Sequence, residues 1–357
     1  MRLRRLGLSL ALTGVLAGRT AAQPDSAVKR PFSFAVLGHI RGDRDHLLNP
    51  KLGELLEHVR ALHPDFVVLT GDNVWGDLFG GRATERTAAL PDTAIVRREW
   101  EQLDSALATL HVPVYRVPGN HDISDLGTKR VWWQRYGPLP RVVERYGSRL
   151  LLVSSAWIPA DNDTVRRIVT RPPALDSAET EWLQAQLGRS QWDHSFVFMH
   201  HLIWWDSTAS WWKDIHPRLR PGGVRAVFSG DYGPLKFSHL SRDSVLYVQG
   251  SMEGIMKLNT LRAIPTSRVL SAQFDNFLFV RVNGPAVSLE VKTLGEWSSP
   301  QYEPAFFQAT LEPPPPPVTG WRKWVAYLMT PRKLAALGGF ALAAFLAGWT
   351  LGRQKRR

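Results

Sequence analysis

The chain alternates short apolar runs with longer segments in which apolar residues recur every three or four positions. Short apolar runs between polar turns are typical of buried strands, and the longer spacing is typical of amphipathic helices. The predicted helices include residues 52–62 and 100–110. The predicted strands are residues 32–37, 66–69, 114–117, 150–154, 196–199, 224–229, 245–249, 277–282 and 287–291. This alternation, with consecutive strands late in the chain, predicts a layered α/β fold.

The N-terminal segment has a pattern unlike that of the body. Arg2, Arg4 and Arg5 precede an apolar stretch that is too short to span a bilayer comfortably and that ends in small residues. This order is typical of a secretory signal, so we expect residues 1–22 to be a signal peptide. An uncleaved membrane anchor is the alternative interpretation.

A second apolar segment lies near the C-terminus. Residues 334–351 form an 18-residue stretch without a charge, flanked by basic residues on both sides. A helix of this length spans about 27 Å, close to the thickness of a bilayer's hydrocarbon core. The pattern therefore predicts a transmembrane helix at residues 334–352 and a basic cytoplasmic tail at 353–357. A buried core helix is disfavoured because no polar stripe interrupts the segment.

These two ends divide the chain into five predicted regions. The proline run at 313–317 favours an extended spacer, and aromatic and basic residues follow it. The regions are a signal peptide (1–22), a folded domain (23–312), a Pro-rich linker with a juxtamembrane segment (313–333), a transmembrane helix (334–352) and a tail (353–357).

The formal net charge of +12 does not indicate a nucleic-acid partner. The whole excess lies in residues 1–22 and 321–357, which hold no acidic residue, so the body is neutral. The chain has no cysteine, which excludes disulfides and thiolate metal sites. We expect an exported protein of a bacterial cell envelope, anchored in the cytoplasmic membrane with its body outside.

Polar side chains that can bind metal or phosphate follow five of the predicted strands. Such loops collect the chemistry in layered α/β folds. Oxygen and imidazole ligands without thiolates suit Mn, Fe or Zn, and such an ion can activate water beside a phosphoryl group. The candidate residues are His39 and Arg41, Asp72, Asn120 and His121 with Asp122, His200 and His201, and Asp231.

The order of these loops resembles that of the calcineurin-like phosphoesterase family, which includes purple acid phosphatases. The resemblance covers about residues 32–292, and the loops at Gly71-Asp72 and at 119–122 are its most specific parts. It implies a four-layer αββα sandwich with metal bound at the strand ends. By this resemblance Asp72 matches the bridging carboxylate, Asn120 and His200 match ligands of the second metal, and His121 matches the imidazole that assists the leaving group.

Two loops depart from the family pattern. The family opens with Asp-x-His, where this chain has His39-Ile40-Arg41, and closes with Gly-His-x-His, where this chain has residues 230–233 with Asp231 and no histidine. Asp231 is then the remaining candidate ligand at the second metal, and His39 at the first. Arg41 argues against a cation beside it, because nearby like charges repel. We therefore expect one divalent ion rather than two.

Two hypotheses of different class follow from this altered site. The first is a phosphoesterase in which one metal acts with Arg41, which can hold phosphate, and with His121 as general acid. The second is a catalytically inactive relative that acts as a tethered module for phosphate-ligand binding or scaffolding, with Arg41 merely paired to Asp72 or Asp231.

The residues after His200 indicate a partner class. His201 is expected outside the ligand set, and Trp204 and Trp205 follow on a loop that we expect to overhang the site. Their rings could bind a phosphoester small molecule or a phosphorylated lipid. The alternative interpretation is that the tryptophans pack the core beneath this loop.

Overall fold

The computed structural model describes most of the predicted folded domain. The described residues are 29–43, 45–76, 92–156, 174–189, 191–231, 236–252, 261–264, 269–272, 275–294 and 301–302. The predicted signal peptide, linker, transmembrane helix and tail lie outside these residues. Among the described residues, no helix is both long and apolar enough to cross a membrane.

The described elements alternate strands and helices in the first part of the chain and are mostly strands in the last. The helices are α1 (Leu52–Ala61), α2 (Thr93–Ala108), α3 (Leu126–Tyr136), α4 (Ser177–Leu187), α5 (Trp211–Asp214) and α6 (His216–Leu219). The strands are β1 (Phe32–Leu37), β2 (Phe66–Thr70), β3 (Val114–Val117), β4 (Arg141–Arg145), β5 (Ser148–Leu152), β6 (His194–Phe198), β7 (Val224–Ser229), β8 (Phe237–Arg242), β9 (Val245–Gly250), β10 (Leu261–Ile264), β11 (Val269–Ala272), β12 (Asn276–Asn283), β13 (Ala286–Thr293) and β14 (Gln301–Tyr302).

The strands form two sheets. One has the order β14-β13-β12-β1-β2-β3, and the other has the order β10-β11-β8-β9-β7-β6-β5-β4. Strands β1, β2 and β3 are parallel, as are β5, β6, β7 and β9. In the first sheet the parallel strands extend to the β3 edge, and in the second they lie between β8 and β4. Polar loops follow the carboxyl ends of both groups, where the chemistry of layered α/β folds collects.

The core has three layers of apolar contacts. They arise because alternate side chains of each strand point to opposite faces of its sheet. Phe34 and Phe66 of the first sheet face Phe196, Phe198 and similar residues of the second, which closes the space between the sheets. The alternate residues of the first sheet pack against α1, α2 and α3, and those of the second sheet pack against α4, α5 and α6. The expectation of a two-sheet α/β sandwich is confirmed.

Local capping explains where three of the helices begin. Asp92 accepts a hydrogen bond from the Ala94 N–H at the start of α2, and Asp176 accepts one from Glu179 at the start of α4. Asp125 and Thr128 form a reciprocal capping box for α3. Helix α3 therefore begins directly after the polar loop at 119–122.

Strand boundaries differ from the sequence prediction where polar residues are buried. Strand β5 begins at Ser148 instead of residue 150, because the fully buried Arg149 donates to Ser195 Oγ at 2.8 Å and to three backbone carbonyls. Strands β4, β8, β10, β11 and β14 were not predicted. The sequences of β4 and β8 mix charged or polar residues with apolar ones, and only pairing within the sheet identifies them.

Glu179 in α4 provides a test of the fold's pH dependence. It is buried, its carboxylate accepts a hydrogen bond from the Ser154 N–H, and burial raises its pKa from 4.5 to about 8. The folded state therefore binds this proton more tightly than the unfolded state does. The contribution of Glu179 to stability is greatest below about pH 4.5 and falls as the pH rises to about 8.

We predict that Glu179→Gln raises the free energy of unfolding relative to wild type. The difference should grow between about pH 4.5 and pH 8 and reach on the order of 4 kcal/mol above pH 8. Chemical denaturation at a series of pH values measures the difference. Glu181→Gln, on the exposed face of the same helix, is the matched control and should show no such trend. A pH-independent difference for Glu179→Gln would contradict the prediction.

Candidate metal centre

The candidate residues converge at the carboxyl ends of the parallel strands of both sheets. His39 follows β1, Asp72 follows β2, and Asn120 follows β3 in the first sheet. His200 follows β6 and Asp231 follows β7 in the second. The structure thus brings together side chains that lie up to about two hundred residues apart in the sequence.

Backbone hydrogen bonds connect these loops in pairs. The N–H of His39 donates to Gly71 O at 3.1 Å, and the N–H of Arg41 donates to Asp72 O at 3.0 Å. In the other sheet, the N–H of Asp231 donates to His200 O at 2.9 Å. His39 and Asp72 both adopt positive φ angles, 52° and 50°, a conformation that costs free energy for residues other than glycine. The surrounding contacts hold both residues in this strained conformation.

The protonation of His200 follows from its partners. Its Nδ1 lies 2.9 Å from Thr70 O, and because a carbonyl can only accept, Nδ1 carries the proton. Burial lowers the pKa of His200, and the nearby Asp72 carboxylate only partly opposes this effect. The ring is therefore neutral, and Nε2 presents a lone pair.

Three oxygen atoms face that lone pair. Nε2 of His200 lies 3.2 Å from Asn120 Oδ1, 3.3 Å from Asp72 Oδ1 and 3.7 Å from Asp231 Oδ1. Oxygen and nitrogen lone pairs that converge in a buried space repel one another unless a cation lies between them. This donor set fits a divalent ion of the Mn, Fe or Zn class.

His39 places its Nε2 beside the same carboxylate. Its Nδ1 lies 3.3 Å from Met252 O, so Nδ1 donates and Nε2 faces Asp72 Oδ2 at 3.2 Å. Ligand atoms of His39, Asp72 and Asp231 all lie within 4.8 Å of one another. The described residues therefore contain a second group of possible ligands, which shares both carboxylates with the first.

Arg41 lies next to this second group. Its Nε is 3.8 Å from Asp72 Oδ2, its Nη1 donates to Gly42 O at 3.0 Å, and its guanidinium lies over the Trp75 ring at 4.6 Å. The contact with the Trp75 ring holds the Arg41 guanidinium on one side of Asp72. A permanent positive charge thus lies beside the carboxylate that both groups share.

His121, on the loop after β3, is oriented by a hydrogen bond to the loop after β2 that carries Trp75. Its Nδ1 donates to Trp75 O at 3.0 Å, and its Nε2 lies 3.8 Å from Asp72 Oδ2. Burial lowers the pKa of His121 to about 3, so the neutral ring offers Nε2 as an acceptor. The predicted general-acid role therefore requires a negatively charged group beside the ring, because such a group raises the pKa of an imidazole.

Asp122 was given no role from the sequence, and the structure assigns it one. Its buried carboxylate accepts hydrogen bonds from the backbone N–H groups of Asn73, Val74 and Gly119 and from the side-chain amide of Asn73, at 2.8–3.2 Å. These bonds join the loop that carries Asp72 to the loop that carries Asn120. Its position at the end of the Gly-Asn-His-Asp run was the available sequence signal.

Two glycines allow these loops to pack around the His200 ring. A Cβ on Gly71, which has a φ angle of 91°, would lie 2.4 Å from His200 Nδ1. A Cβ on Gly119 would lie 2.2 Å from Asp72 Oδ1. Larger residues at either position would displace the ring or the carboxylate.

The expectation that Trp204 lines the site is wrong. Its ring is 1% exposed, packs against Tyr247 at 5.7 Å and donates from Nε1 to Ser229 Oγ at 3.0 Å. Trp211 is also buried, with Nε1 donating to the Tyr247 hydroxyl. These rings form the core beneath the loop, as the alternative interpretation held. Trp205 remains partly exposed at the edge of this cluster.

Comparison with known proteins shows a family match for this chain. The family model described as calcineurin-like phosphoesterase matches residues 46–232. The chain is 27% identical over 203 residues to the mouse (Mus musculus) serine/threonine-protein phosphatase CPPED1, covering 50% of this chain. The chain spans only 57% of the length of that curated relative.

Distant similarities to solved structures accompany this match. A dimetal phosphatase from Danio rerio is 14% identical, with a TM-score of 0.48 that covers 76% of this chain and 99% of the other. Wild-type Vps29 complexed with zinc from Entamoeba histolytica is 11% identical, with a TM-score of 0.34 that covers 76% of this chain and 98% of the other.

We predict that Asp122→Ala destabilises the chain by about 3 kcal/mol, because it leaves several buried N–H groups without an acceptor. Chemical denaturation measures the loss, and the exposed Asp45→Ala is the matched control. Equal stability of the two variants would show that Asp122 does not join the loops.

Proposed function

This chain belongs to the calcineurin-like phosphoesterase family, and from that premise we propose that it hydrolyses phosphate esters with the help of a divalent metal ion. His200, Asn120, Asp72 and Asp231 would hold the ion. The phosphatase named among its relatives supports a hydrolase of this class.

The observation that carries the proposal is the convergence at His200 Nε2. One imidazole lone pair and three side-chain oxygens face one another within 3.7 Å, and the Thr70 carbonyl orients the imidazole from behind. Such a hydrogen bond behind a histidine is typical of metal ligands, because it fixes the ring and its tautomer.

We further propose that one ion binds and that Arg41 supplies the other positive charge. A second cation at His39 would share Asp72 with the guanidinium, whose Nε is 3.8 Å from that carboxylate. Repulsion in a poorly solvated site opposes this arrangement. A guanidinium can instead bind phosphate oxygens through paired hydrogen bonds.

Arg41 and His121 then act on different parts of the substrate. Arg41 binds the phosphate and balances the charge that develops on it, since its stacking on Trp75 already orients the guanidinium. His121 lies on the loop after β3. The bound phosphate would raise its pKa, so that Nε2 takes up a proton from solvent and donates it to the leaving-group oxygen as the ester bond breaks. The metal, when bound, would polarise the phosphoryl group and activate water.

One observation favours a second candidate, a module that binds phosphate ligands without turnover. Arg41 lies near Asp72 where the family pattern has a histidine, and a site with one cation lacks the clamp of two metals on the attacking and leaving oxygens. In this candidate Asp72 serves mainly as the partner of Arg41.

The location of the protein also remains a proposal. The apolar segment at 334–352 and the signal pattern at 1–22 support a domain that is exported and tethered to the cytoplasmic membrane of a bacterial envelope. A tethered domain would act on phosphoester small molecules or phosphorylated lipids near that membrane. The neutral body gives no support for a nucleic-acid partner.

We predict that the purified full chain binds about one Mn, Fe or Zn ion and that His200→Ala abolishes this binding, because it removes the imidazole on which the three side-chain oxygens converge. Elemental analysis after metal loading measures the content. His58→Ala, on the exposed face of α1, is the matched control and should bind as wild type does.

Absence of metal from wild type after loading with each ion would refute the metal-dependent mechanism. The binding module would then remain as the explanation of the convergence of these loops.

We predict that Arg41→Ala lowers kcat for phosphate-ester hydrolysis by about 100-fold, because it removes the charge that faces the transferred phosphoryl group. Arg41→Lys should recover only part of the rate, since a point charge replaces a planar fork. Steady-state kinetics of metal-loaded protein on a chromogenic phosphate ester measures the change. An unchanged kcat in Arg41→Ala would show that Arg41 has only a structural role.

A further inference from the structure

Ser155 lies behind the two adjacent histidines of the site and is fully buried. Its Oγ is 3.2 Å from His200 N, 2.9 Å from His201 N and 3.0 Å from His201 Nδ1. One hydroxyl therefore makes three contacts with this pair of residues.

The directions of these three hydrogen bonds follow from counting donors and acceptors. A hydroxyl group has one proton to donate and two lone pairs to accept with. The backbone N–H groups of His200 and His201 can only donate, so they occupy both lone pairs of Ser155. The remaining contact must use the hydroxyl proton, so Ser155 donates to Nδ1 of His201. The neutral His201 ring then carries its proton on Nε2.

This tautomer removes His201 from the set of metal ligands. Ligand atoms of His200, His201 and Asp231 lie within 4.8 Å of one another, an arrangement that resembles a three-ligand site. However, the Nδ1 lone pair of His201 accepts from Ser155, and its Nε2 carries a proton. Neither nitrogen offers a lone pair to a cation while this arrangement holds.

The two neighbouring rings are therefore in opposite tautomers. His200 carries its proton on Nδ1, because that atom faces the Thr70 carbonyl, and presents Nε2 as a ligand. His201 carries its proton on Nε2, so that nitrogen is a hydrogen-bond donor. The centroids of the two rings lie 4.7 Å apart. Their different hydrogen-bond partners make His200 a candidate metal ligand and His201 a hydrogen-bond donor.

We propose that Ser155 is a positioning residue that fixes the tautomer of His201 and thereby keeps it as a hydrogen-bond donor outside the metal-ligand set. The consequence for metal binding rests on the proposed function. The tautomer itself does not, because it follows from contacts within the protein alone.

Nitrogen NMR of histidine-labelled full chain tests the tautomers directly. Long-range proton–nitrogen correlations distinguish the two neutral tautomers, and His200→Gln and His201→Gln variants assign the signals. In the metal-free protein we expect Nδ1–H at His200 and Nε2–H at His201. An Nδ1–H tautomer at His201 would overturn the proposal.

Zinc addition to the same sample tests the consequence. We expect the Nε2 signal of His200 to shift while His201 keeps its Nε2 proton. Loss of the His201 Nε2–H signal on zinc binding would show that His201 is a ligand and would also overturn the proposal. If zinc binds nowhere, the metal-dependent function fails while the tautomer result of the metal-free protein still stands.

Substitution of Ser155 tests whether the hydroxyl is the cause. Ser155→Ala removes the donor to Nδ1, so we expect His201 to show a mixture of tautomers or the Nδ1–H form. Ser155→Thr keeps the hydroxyl and should retain the wild-type pattern. An unchanged Nε2–H tautomer in Ser155→Ala would overturn the role of Ser155. The wild-type spectra decide the tautomer even where a variant fails to fold.

Discussion

The hydrogen bonds to the buried Asp122 carboxylate are the constraint on which the rest of the site depends. They join the loops after β2 and β3, so they determine the positions of Asp72 and Asn120 relative to each other. Both of these residues face His200, which comes from the other sheet. An error of one ångström between the loops would separate the oxygen atoms from the imidazole that completes the candidate ligand set.

Backbone carbonyls and one hydroxyl decide what each histidine can do. Thr70 O faces Nδ1 of His200, and Met252 O faces Nδ1 of His39, so both rings direct Nε2 towards Asp72. Ser155 acts in the opposite sense on His201. The chemical difference between these rings therefore lies in the atoms behind them, and residue type alone does not specify it.

Much of the fold was predictable because period-two apolar runs identify strands that are buried on at least one face. The prediction was less accurate where buried polar residues belong to strands. Arg149 extends β5 only because it finds carbonyl partners on α4 and the following loops, and β8 is recognisable only by its pairing with β9 and β11. Trp204 was assigned to the site because its sequence position says nothing about which way its ring points.

The sequence by itself determined the layered α/β class and the placement of oxygen and imidazole ligands after strands, because these depend on local periodicity and on the types of residue in each loop. The two-sheet sandwich was an implication of the resemblance to a family. Tertiary structure decided the tautomers, the burial of Trp204, the position of Arg41 over Trp75 and the role of Asp122. Each of these depends on distances between atoms of loops that are far apart in the sequence. Hydrogen bonds and close contacts act over a few ångströms, so only the folded chain specifies them.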